Sequence, residues 1–175
     1  MMKQPLNKKT LASMIRVDHA GEYGAKRIYE GQLALLRWSP SYETVRAMKE
    51  QEQHHLTTFE ELMVRRRVRP TALMPLWHVG GWMLGAATAA LGDKAAMACT
   101  VAVESVIAEH YQQQEIALDD AEPELRATMQ QFRLEEMEHH DTALDYGARQ
   151  APLYRGLYHG IRGITKTAIA LSKRI

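Results

Sequence analysis

The sequence has one cysteine, few aromatic residues and almost no net charge. Its single cysteine, Cys99, cannot close an intramolecular disulfide, which excludes a small disulfide-stabilised scaffold and favours a reducing compartment. Aromatic residues make up only 7% of the chain and are not interleaved with the basic residues, so no surface for stacking single-stranded nucleic acid is indicated. The net charge is +1, and no zinc-finger or RNA-binding signature occurs. We therefore expect no nucleic-acid partner.

Several catalytic motifs are also missing. The chain contains no P-loop, no nucleophile elbow and no dinucleotide-binding fingerprint that follows a strand, which excludes the enzyme classes that these motifs define. Residues 1–7 lack the apolar core of a secretory signal, so we expect the chain to stay on the side of the membrane where it is made, unless a presequence has been removed. What the chain does have is helical periodicity and clustered carboxylates.

Helical periodicity dominates the chain. The 175 residues are 46% hydrophobic, which is enough for one compact domain that covers residues 1–175. Strand signals are almost absent, whereas apolar residues recur at helical spacing in 11–36, 45–63, 95–118 and 125–144. Helix breaks are predicted at 39–41, Pro70, Asp93 and 122–123. This pattern predicts an all-α protein with a ferritin-like, antiparallel four-helix bundle.

An uncharged segment lies outside the predicted bundle. Residues 70–92 carry no formal charge over 23 positions, which permits a membrane-spanning helix, a buried crossover or an interfacial segment. Prolines and glycines argue against the first alternative, because they would interrupt a spanning helix. We therefore favour an apolar segment that lies at a membrane interface.

The end of the chain is basic. Residues 153–175 carry five lysines and arginines and no acidic residue. Apolar residues follow one side of this predicted helix, namely Leu157, Ile161, Ile164, Ala168 and Leu171. This pattern is typical of a basic amphipathic helix that binds a membrane or a partner surface.

Two Glu-x-x-His elements occur in the chain, each inside a predicted helix. Residues three apart share a helix face, so each element can present one carboxylate and one imidazole to the same cation. A further glutamate lies about thirty residues upstream of each element, and the second of them follows an apolar run in which an unpaired carboxylate would be costly. The six residues are Glu22, Glu52, His55, Glu104, Glu136 and His139.

The spacing of these residues also indicates an internal repeat. The pattern Glu-x6-Tyr-x2-Gln begins at Glu22 and again at Glu104. Each copy is followed by one Glu-x-x-His element, so we predict two related helical hairpins over 11–67 and 94–149.

Glutamates from two helices and Glu-x-x-His from two others resemble the ligand set of ferritin-like di-iron and di-manganese bundles. Four carboxylates would offset the charge of two divalent cations, and each imidazole would complete the binding of one of them. We therefore expect the six residues to bind two metal ions and to act in catalysis through them.

Four stretches carry a resemblance to a known family. They are RVDHAGEYGA at 16–25, RVRPT and MPLW between 67 and 77, ACTVAVE at 98–104 and EEMEHHD at 135–141. Together they resemble the Coq7/Clk-1 family of di-iron demethoxyubiquinone hydroxylases, and the similarity runs from about residue 14 to the C-terminus. All six ligand positions are filled, and Ser105 stands where a second glutamate can follow the ligand, which leaves Glu104 as the ligand there.

The resemblance implies an O2-dependent monooxygenase of ubiquinone biosynthesis. Two iron ions per subunit would serve to hydroxylate the ring of 2-polyprenyl-3-methyl-6-methoxy-1,4-benzoquinol, or demethoxyubiquinol. The electron source stays open among a partner reductase, NADH and the quinol itself. The location implied is peripheral to a membrane, on the cytoplasmic face of a bacterial inner membrane or the matrix face of the mitochondrial inner membrane. A lipid-binding Coq9-like partner, other ubiquinone-biosynthesis proteins and an oligomer also stay open.

The same sequence features leave two other functions open, and they suggest roles for a few residues that are not ligands. The first rival is a ferritin-like di-iron oxidase or peroxidase for iron or peroxide detoxification, and the second is a non-enzymatic, membrane-docked lipid-binding scaffold. By the resemblance, His110 is a candidate for electron or proton delivery, with a purely structural role as the alternative. Asp18, His19 and Asp141 are candidates for orienting the ligand imidazoles, which usually bind an outer hydrogen-bond partner.

Overall fold

The structure, a computed structural model, describes residues 6–174, and the described chain forms helices without a strand. This confirms the all-α prediction. The helices are α1 (Lys8–Leu35), α2 (Tyr42–Arg66), α3 (Met74–Ala90), α4 (Asp93–Leu118), α5 (Pro123–Asp145) and α6 (Tyr154–Ser172), with a short 3₁₀ turn at Ala148–Gln150. The predictions that concern residues 1–5 and Ile175 lie outside the described residues.

The helices begin and end where the sequence changes character. Asn7 caps α1, because its side chain accepts a hydrogen bond from the Lys9 amide at 2.6 Å. Pro123 is the first residue of α5, where its fixed φ and missing N–H suit the first helical turn. The Ser41 hydroxyl donates to Asp93 at 2.8 Å and so ties the α1–α2 loop to the start of α4. All four predicted helix breaks are confirmed.

The helices pack as two hairpins with one further helix on each. α1 packs against α2 and α3, and α4 packs against α5 and α6. In the buried core, the rings of Phe59, Tyr111 and Phe132 contact one another with centroids 5.7 to 6.4 Å apart. These aromatic contacts join α2, α4 and α5 across the two hairpins. The ferritin-like, antiparallel order of the bundle and the single domain stay predictions.

The contact between α1 and α3 depends on glycine. A Cβ atom added at Gly85 would meet the backbone of Ile28, and one added at Gly31 would meet the backbone of Trp82. The two helices lie so close that a side chain fits at neither position. The expectation that glycines interrupt residues 70–92 is therefore wrong for α3, because α3 runs on through its glycines and uses Gly85 to approach α1.

One face of α3 is exposed and apolar. Leu76, Val79 and Met83 are each more than half exposed. A fully buried crossover is therefore excluded, whereas the interfacial position stays a prediction. No helix among residues 6–174 combines the length and the hydropathy that crossing a lipid bilayer requires.

The apolar stripe of α6 is divided between the core and the surface. Ile161 is buried in the core, and Leu157 packs partly buried against it. Ile164 and Leu171 are exposed. The first residues of the stripe thus cover the core beside α4, and the binding of α6 to a membrane or a partner surface stays a prediction.

Gly85→Ala should destabilise the fold, because the added methyl group must push α3 away from the Ile28 backbone. We expect the free energy of unfolding to fall by about 1–3 kcal/mol, the usual cost of overpacking. Chemical denaturation measures this loss.

The matched control is Gly80→Ala in the same helix, where nothing lies within 4 Å of an added Cβ. This variant should gain up to about 1 kcal/mol, because alanine favours the helix over glycine. Equal stabilities of the two variants would contradict the close α1–α3 contact.

Candidate metal centre

Six buried ionisable side chains from α1, α2, α4 and α5 converge in the core. They form two overlapping groups, and within each group the candidate ligand atoms all lie within 4.8 Å of one another. The groups are Glu22, Glu52, His55 and Glu136, and Glu52, Glu104, Glu136 and His139. The structure thus brings together all six residues that were predicted as ligands, and their binding of metal stays a prediction.

Each imidazole turns its Nδ1 atom towards carboxylates. In α2, His55 Nδ1 lies 3.2 Å from Glu22 Oε2 and 3.1 Å from Glu136 Oε1. In α5, His139 Nδ1 lies 3.2 Å from Glu52 Oε1 and 3.4 Å from Glu136 Oε2. Glu136 therefore places one oxygen near each imidazole, which is the arrangement that a carboxylate shared by two cations requires.

Two tyrosines cross between the halves of the predicted repeat. Tyr29 of α1 donates a hydrogen bond to Glu104 Oε1 of α4 at 2.5 Å. In the opposite direction, Tyr111 of α4 donates to Glu22 Oε1 of α1. Burial and the neighbouring carboxylates raise the pKa of both tyrosines well above the ordinary value, so both hydroxyls remain donors at neutral pH. The tyrosine of each Glu-x6-Tyr copy thus donates its hydrogen bond to the glutamate of the other copy.

The outer nitrogen of each imidazole also has a partner. His55 Nε2 lies 2.5 Å from Glu135 Oε2. His139 Nε2 lies 2.9 Å from Gln51 Oε1. An acceptor at Nε2 fixes the N–H there and leaves Nδ1 to bind a cation. Sequence reasoning missed both partners, although each of them directly precedes the glutamate of a Glu-x-x-His element.

The pKa values of the cluster reflect crowded, buried carboxylates. Burial raises the pKa of Glu52 and Glu104 well above the ordinary value of 4.5, and the charge of Glu136 adds to the effect. Burial acts in the same direction on Glu136, but the neighbouring imidazoles of His139 and His55 outweigh it and lower the pKa of Glu136 to about 2. For His55, burial disfavours the charge, yet hydrogen bonds to Glu136 and Glu22 raise its pKa to about 12. A divalent cation would displace the protons that these groups hold.

Several polar atoms of the cluster have no hydrogen-bond partner among the described residues. They are both carboxylate oxygens of Glu52, one oxygen each of Glu104 and Glu136, and Nδ1 of His139. Buried polar atoms are nearly always paired, and a buried charge without a protein partner is usually paired by a metal ion. Carboxylate oxygen together with imidazole nitrogen suits divalent transition metals. The donor set therefore fits two divalent cations.

The minor predicted residues lie around the cluster. His110 is buried in α4, with its Nε2 atom 3.3 Å from Asp18 Oδ1. The prediction that Asp18 orients a ligand imidazole is wrong, because it faces His110 instead. Asp141 is exposed and pairs with the neighbouring His140 at 2.8 Å, so its predicted role is wrong as well. The roles of His19, which is buried, and of His110 in electron or proton delivery stay predictions.

An apolar groove of about 280 Å³ lies between α1, α3, α4 and α6. Gly21 and Val103 line it, and each directly precedes a predicted ligand, Glu22 or Glu104. Leu76 and other residues of α3, together with residues of α6, form its remaining walls. A groove of this chemistry suits an apolar ligand.

Comparison with known proteins finds relatives along nearly the whole chain. The profile of the family described as ubiquinone biosynthesis protein COQ7 matches residues 9–172. The mitochondrial NADPH-dependent 3-demethoxyubiquinone 3-hydroxylase of Mus musculus is 51% identical over 173 residues, which cover 97% of this chain and 80% of that protein. The 3-demethoxyubiquinol 3-hydroxylase of Rhodospirillum rubrum is 52% identical over 162 residues, or 92% and 76% of the two chains. The mitochondrial 5-demethoxyubiquinone hydroxylase of Saccharomyces cerevisiae is 40% identical over 182 residues, or 94% and 78%.

Glu104→Gln should change how the stability of the metal-free protein depends on pH. Because burial raises the pKa of Glu104, the folded protein holds a proton there that the unfolded chain releases above its ordinary value of 4.5. The stability linked to this proton is present below pH 4.5 and is lost as the pH rises towards the folded pKa. In a chelating buffer, Glu104→Gln should therefore gain stability relative to the unsubstituted protein between pH 5 and 8, as measured by denaturation.

Glu61→Gln, an exposed change on α2, controls for the loss of one carboxylate and should follow the unsubstituted protein. Parallel stability curves for Glu104→Gln and the unsubstituted protein across this pH range would show that the proton is not held.

Proposed function

The chain belongs to the family of ubiquinone biosynthesis protein COQ7, and from that premise we propose that it is a di-iron monooxygenase that hydroxylates the ring of demethoxyubiquinol with O2. Relatives that are 49 to 52% identical over most of the chain are hydroxylases, so this chain has a hydroxylase role in ubiquinone biosynthesis. The iron pair, the position that is hydroxylated, the electron source and the membrane location are parts of our proposal.

The buried ligand cluster is the observation that supports the proposal most strongly. Glu22 and His55 would hold one iron ion, and Glu104 and His139 would hold the other. Glu52 and Glu136 would serve both ions, and they carry oxygens without a hydrogen-bond partner among the described residues. When bound there, two ferrous ions supply the electrons and the open coordination positions through which O2 is activated.

The residues around the cluster hold the ligands and keep water away. Tyr29 donates a hydrogen bond to one oxygen of Glu104, and Tyr111 donates to one oxygen of Glu22. These hydrogen bonds hold the two carboxylates in their orientation, so no water molecule is needed for this. The ring of Phe132 stacks on the ring of His55 with centroids 3.9 Å apart and covers one side of the site. A dry, preorganised site favours hydroxylation of the intended substrate over loss of oxidising equivalents to water.

The apolar groove is our proposed site for the quinol. Gly21 and Val103 line the groove on the turns of α1 and α4 that carry Glu22 and Glu104, so we place the flat ring of the quinol there. The polyprenyl tail would lie in the outer part, between α3 and α6. Burial of the apolar tail would contribute most of the affinity, and the groove walls would orient the ring.

We propose NADPH as the source of the two electrons, because the names of several relatives state NADPH dependence. One oxygen atom of O2 then enters the ring, and the other leaves as water with the two electrons and two protons. NADH, a partner reductase and the quinol itself remain the other electron sources to be compared. The sequence has no dinucleotide-binding motif. We therefore propose that the reductant reaches the site from the protein surface and is not held in a nucleotide-binding domain of this chain.

We also propose that the protein lies on a membrane surface, where its apolar substrate is dissolved. Relatives that are named mitochondrial support a mitochondrial location. We propose the matrix face of the mitochondrial inner membrane, or the cytoplasmic face of a bacterial inner membrane, as the place. The exposed face of α3, with Leu76, Val79 and Met83, would contact the lipid. A lipid-binding Coq9-like protein, other ubiquinone-biosynthesis proteins and a second copy of the chain stay as candidate partners.

A direct assay of oxygen insertion tests the proposed reaction. The purified protein is loaded with Fe²⁺ and given NADPH, a short-tailed demethoxyubiquinol and ¹⁸O₂. We expect mass spectrometry to find one ¹⁸O atom in the ring of the product. Glu104→Ala removes a ligand of one proposed ion, so both the iron content and the product should fall together.

The outcomes separate the rival functions. Iron binding with oxidation of Fe²⁺ but no hydroxylated quinol would favour a ferritin-like oxidase or peroxidase. A protein that binds lipid or quinol but retains no iron would favour a non-enzymatic scaffold.

Serine substitutions on α3 test the membrane surface. The triple variant changes Leu76, Val79 and Met83 to serine. Each buried apolar side chain contributes more than about 1 kcal/mol, so binding to phospholipid vesicles should weaken at least roughly tenfold. Sedimentation with the vesicles measures the bound fraction.

The matched control replaces three apolar residues of similar or greater exposure on other helices, Val64, Ile116 and Leu134. This control should bind vesicles as the unsubstituted protein does. If both triple variants lose vesicle binding to the same extent, α3 is not the membrane surface.

A further inference from the structure

The two halves of the cluster differ in the group behind each imidazole. His55 Nε2 is paired with Glu135, a carboxylate, at 2.5 Å. His139 Nε2 is paired with Gln51, a neutral amide, at 2.9 Å. Both partners directly precede the glutamate of a Glu-x-x-His element, and both reach across to the imidazole on the opposite helix. The two positions are therefore equivalent in the predicted repeat but differ in charge.

The two outer partners also lie near each other. Because Gln51 Oε1 faces His139, the amide NH2 group of Gln51 is its remaining donor. Gln51 and Glu135 thus stand on the side of the imidazoles away from the ligand carboxylates. Gln131 donates to the second oxygen of Glu135 at 3.0 Å and completes its surroundings.

An amide suits position 51. Its oxygen accepts from His139, and its NH2 group is a donor, which a carboxylate does not have. A second carboxylate at position 51 would also add a negative charge near Glu135, which no lysine or arginine contacts among the ion pairs described for residues 6–174. The chain places the one negative charge of this pair behind His55.

We propose that Glu135 and Gln51 are positioning residues that make the two metal positions unequal, so that the cation beside His55 binds more tightly than the cation beside His139. This inference rests on the proposed two-metal centre. A carboxylate behind a metal-binding imidazole fixes the ring, raises the basicity of its inner nitrogen and adds attraction for a cation. A neutral amide fixes the ring without the added charge. Loss of such an outer partner typically weakens metal binding by roughly 10- to 100-fold.

A titration of the metal-free, full-length protein with Co²⁺ under anaerobic conditions tests the inference. Calorimetry and visible absorption should resolve two binding steps of different affinity. Glu22→Ala should remove the tighter step, and Glu104→Ala should remove the weaker one. Glu135→Gln should weaken the tighter step by roughly 10- to 100-fold, so that the two affinities become similar.

The exchanged pair Gln51→Glu with Glu135→Gln reverses the asymmetry. The pair keeps one amide and one carboxylate, but the charge now stands behind His139. Two unequal steps should return, and in this background Glu22→Ala should remove the weaker step. A purely structural role of the two residues does not predict this reversal.

Glu138→Gln removes one exposed carboxylate from the same helix and controls for the change in net charge, so both binding steps should stay as they were. Two ions that bind with one shared affinity, or an unchanged tighter step in Glu135→Gln, would overturn the inference and leave the di-iron proposal standing. A protein that takes up no Co²⁺ and no Fe²⁺ would overturn both.

Discussion

Four carboxylates that share one buried space determine how the rest of the core is built. Ionised carboxylates at these distances repel one another, and a buried charge without a partner is costly, so each oxygen needs a donor or a cation. Tyr29 and Tyr111 supply hydroxyl donors, and His55 and His139 supply imidazoles. The oxygens of Glu52 receive no hydrogen bond from the described residues. Because Glu52 belongs to both groups of candidate ligands, its two oxygens are available to bind one cation each.

The partners of the cluster are exchanged between the two halves of the chain. Tyr29 of the first half serves Glu104 of the second, and Tyr111 of the second serves Glu22 of the first. The outer partners of the imidazoles cross in the same way. Each hairpin therefore supplies hydrogen-bond partners to the ligand residues of the other. The contacts made by the two halves of the chain are nearly equivalent. They differ in charge at one pair of positions, because Gln51 is neutral and Glu135 is a carboxylate.

The exposed apolar face of α3 belongs to a helix that packs directly on α1, which carries Glu22. Glycines at the α1–α3 contact let α3 lie directly on α1, and this close packing leaves the opposite face of α3 exposed. The groove between α3 and α6 then leads from that exposed face to the turns of α1 and α4 that carry Glu22 and Glu104. A single arrangement of helices thus places a buried carboxylate cluster and an apolar groove on the same turns of α1 and α4.

The sequence by itself determined the helices other than α3, their breaks and the six candidate ligands, because helical periodicity, proline positions and Glu-x-x-His spacing are local properties of the chain. Contacts between distant residues required the tertiary structure. Glu135 and Gln51 were missed, and Asp18 and Asp141 were misassigned, because the partner of an imidazole is set by helix packing and not by closeness in sequence. The glycines of α3 were interpreted as interruptions for the same reason: only the neighbouring backbone of α1 shows that they permit close packing.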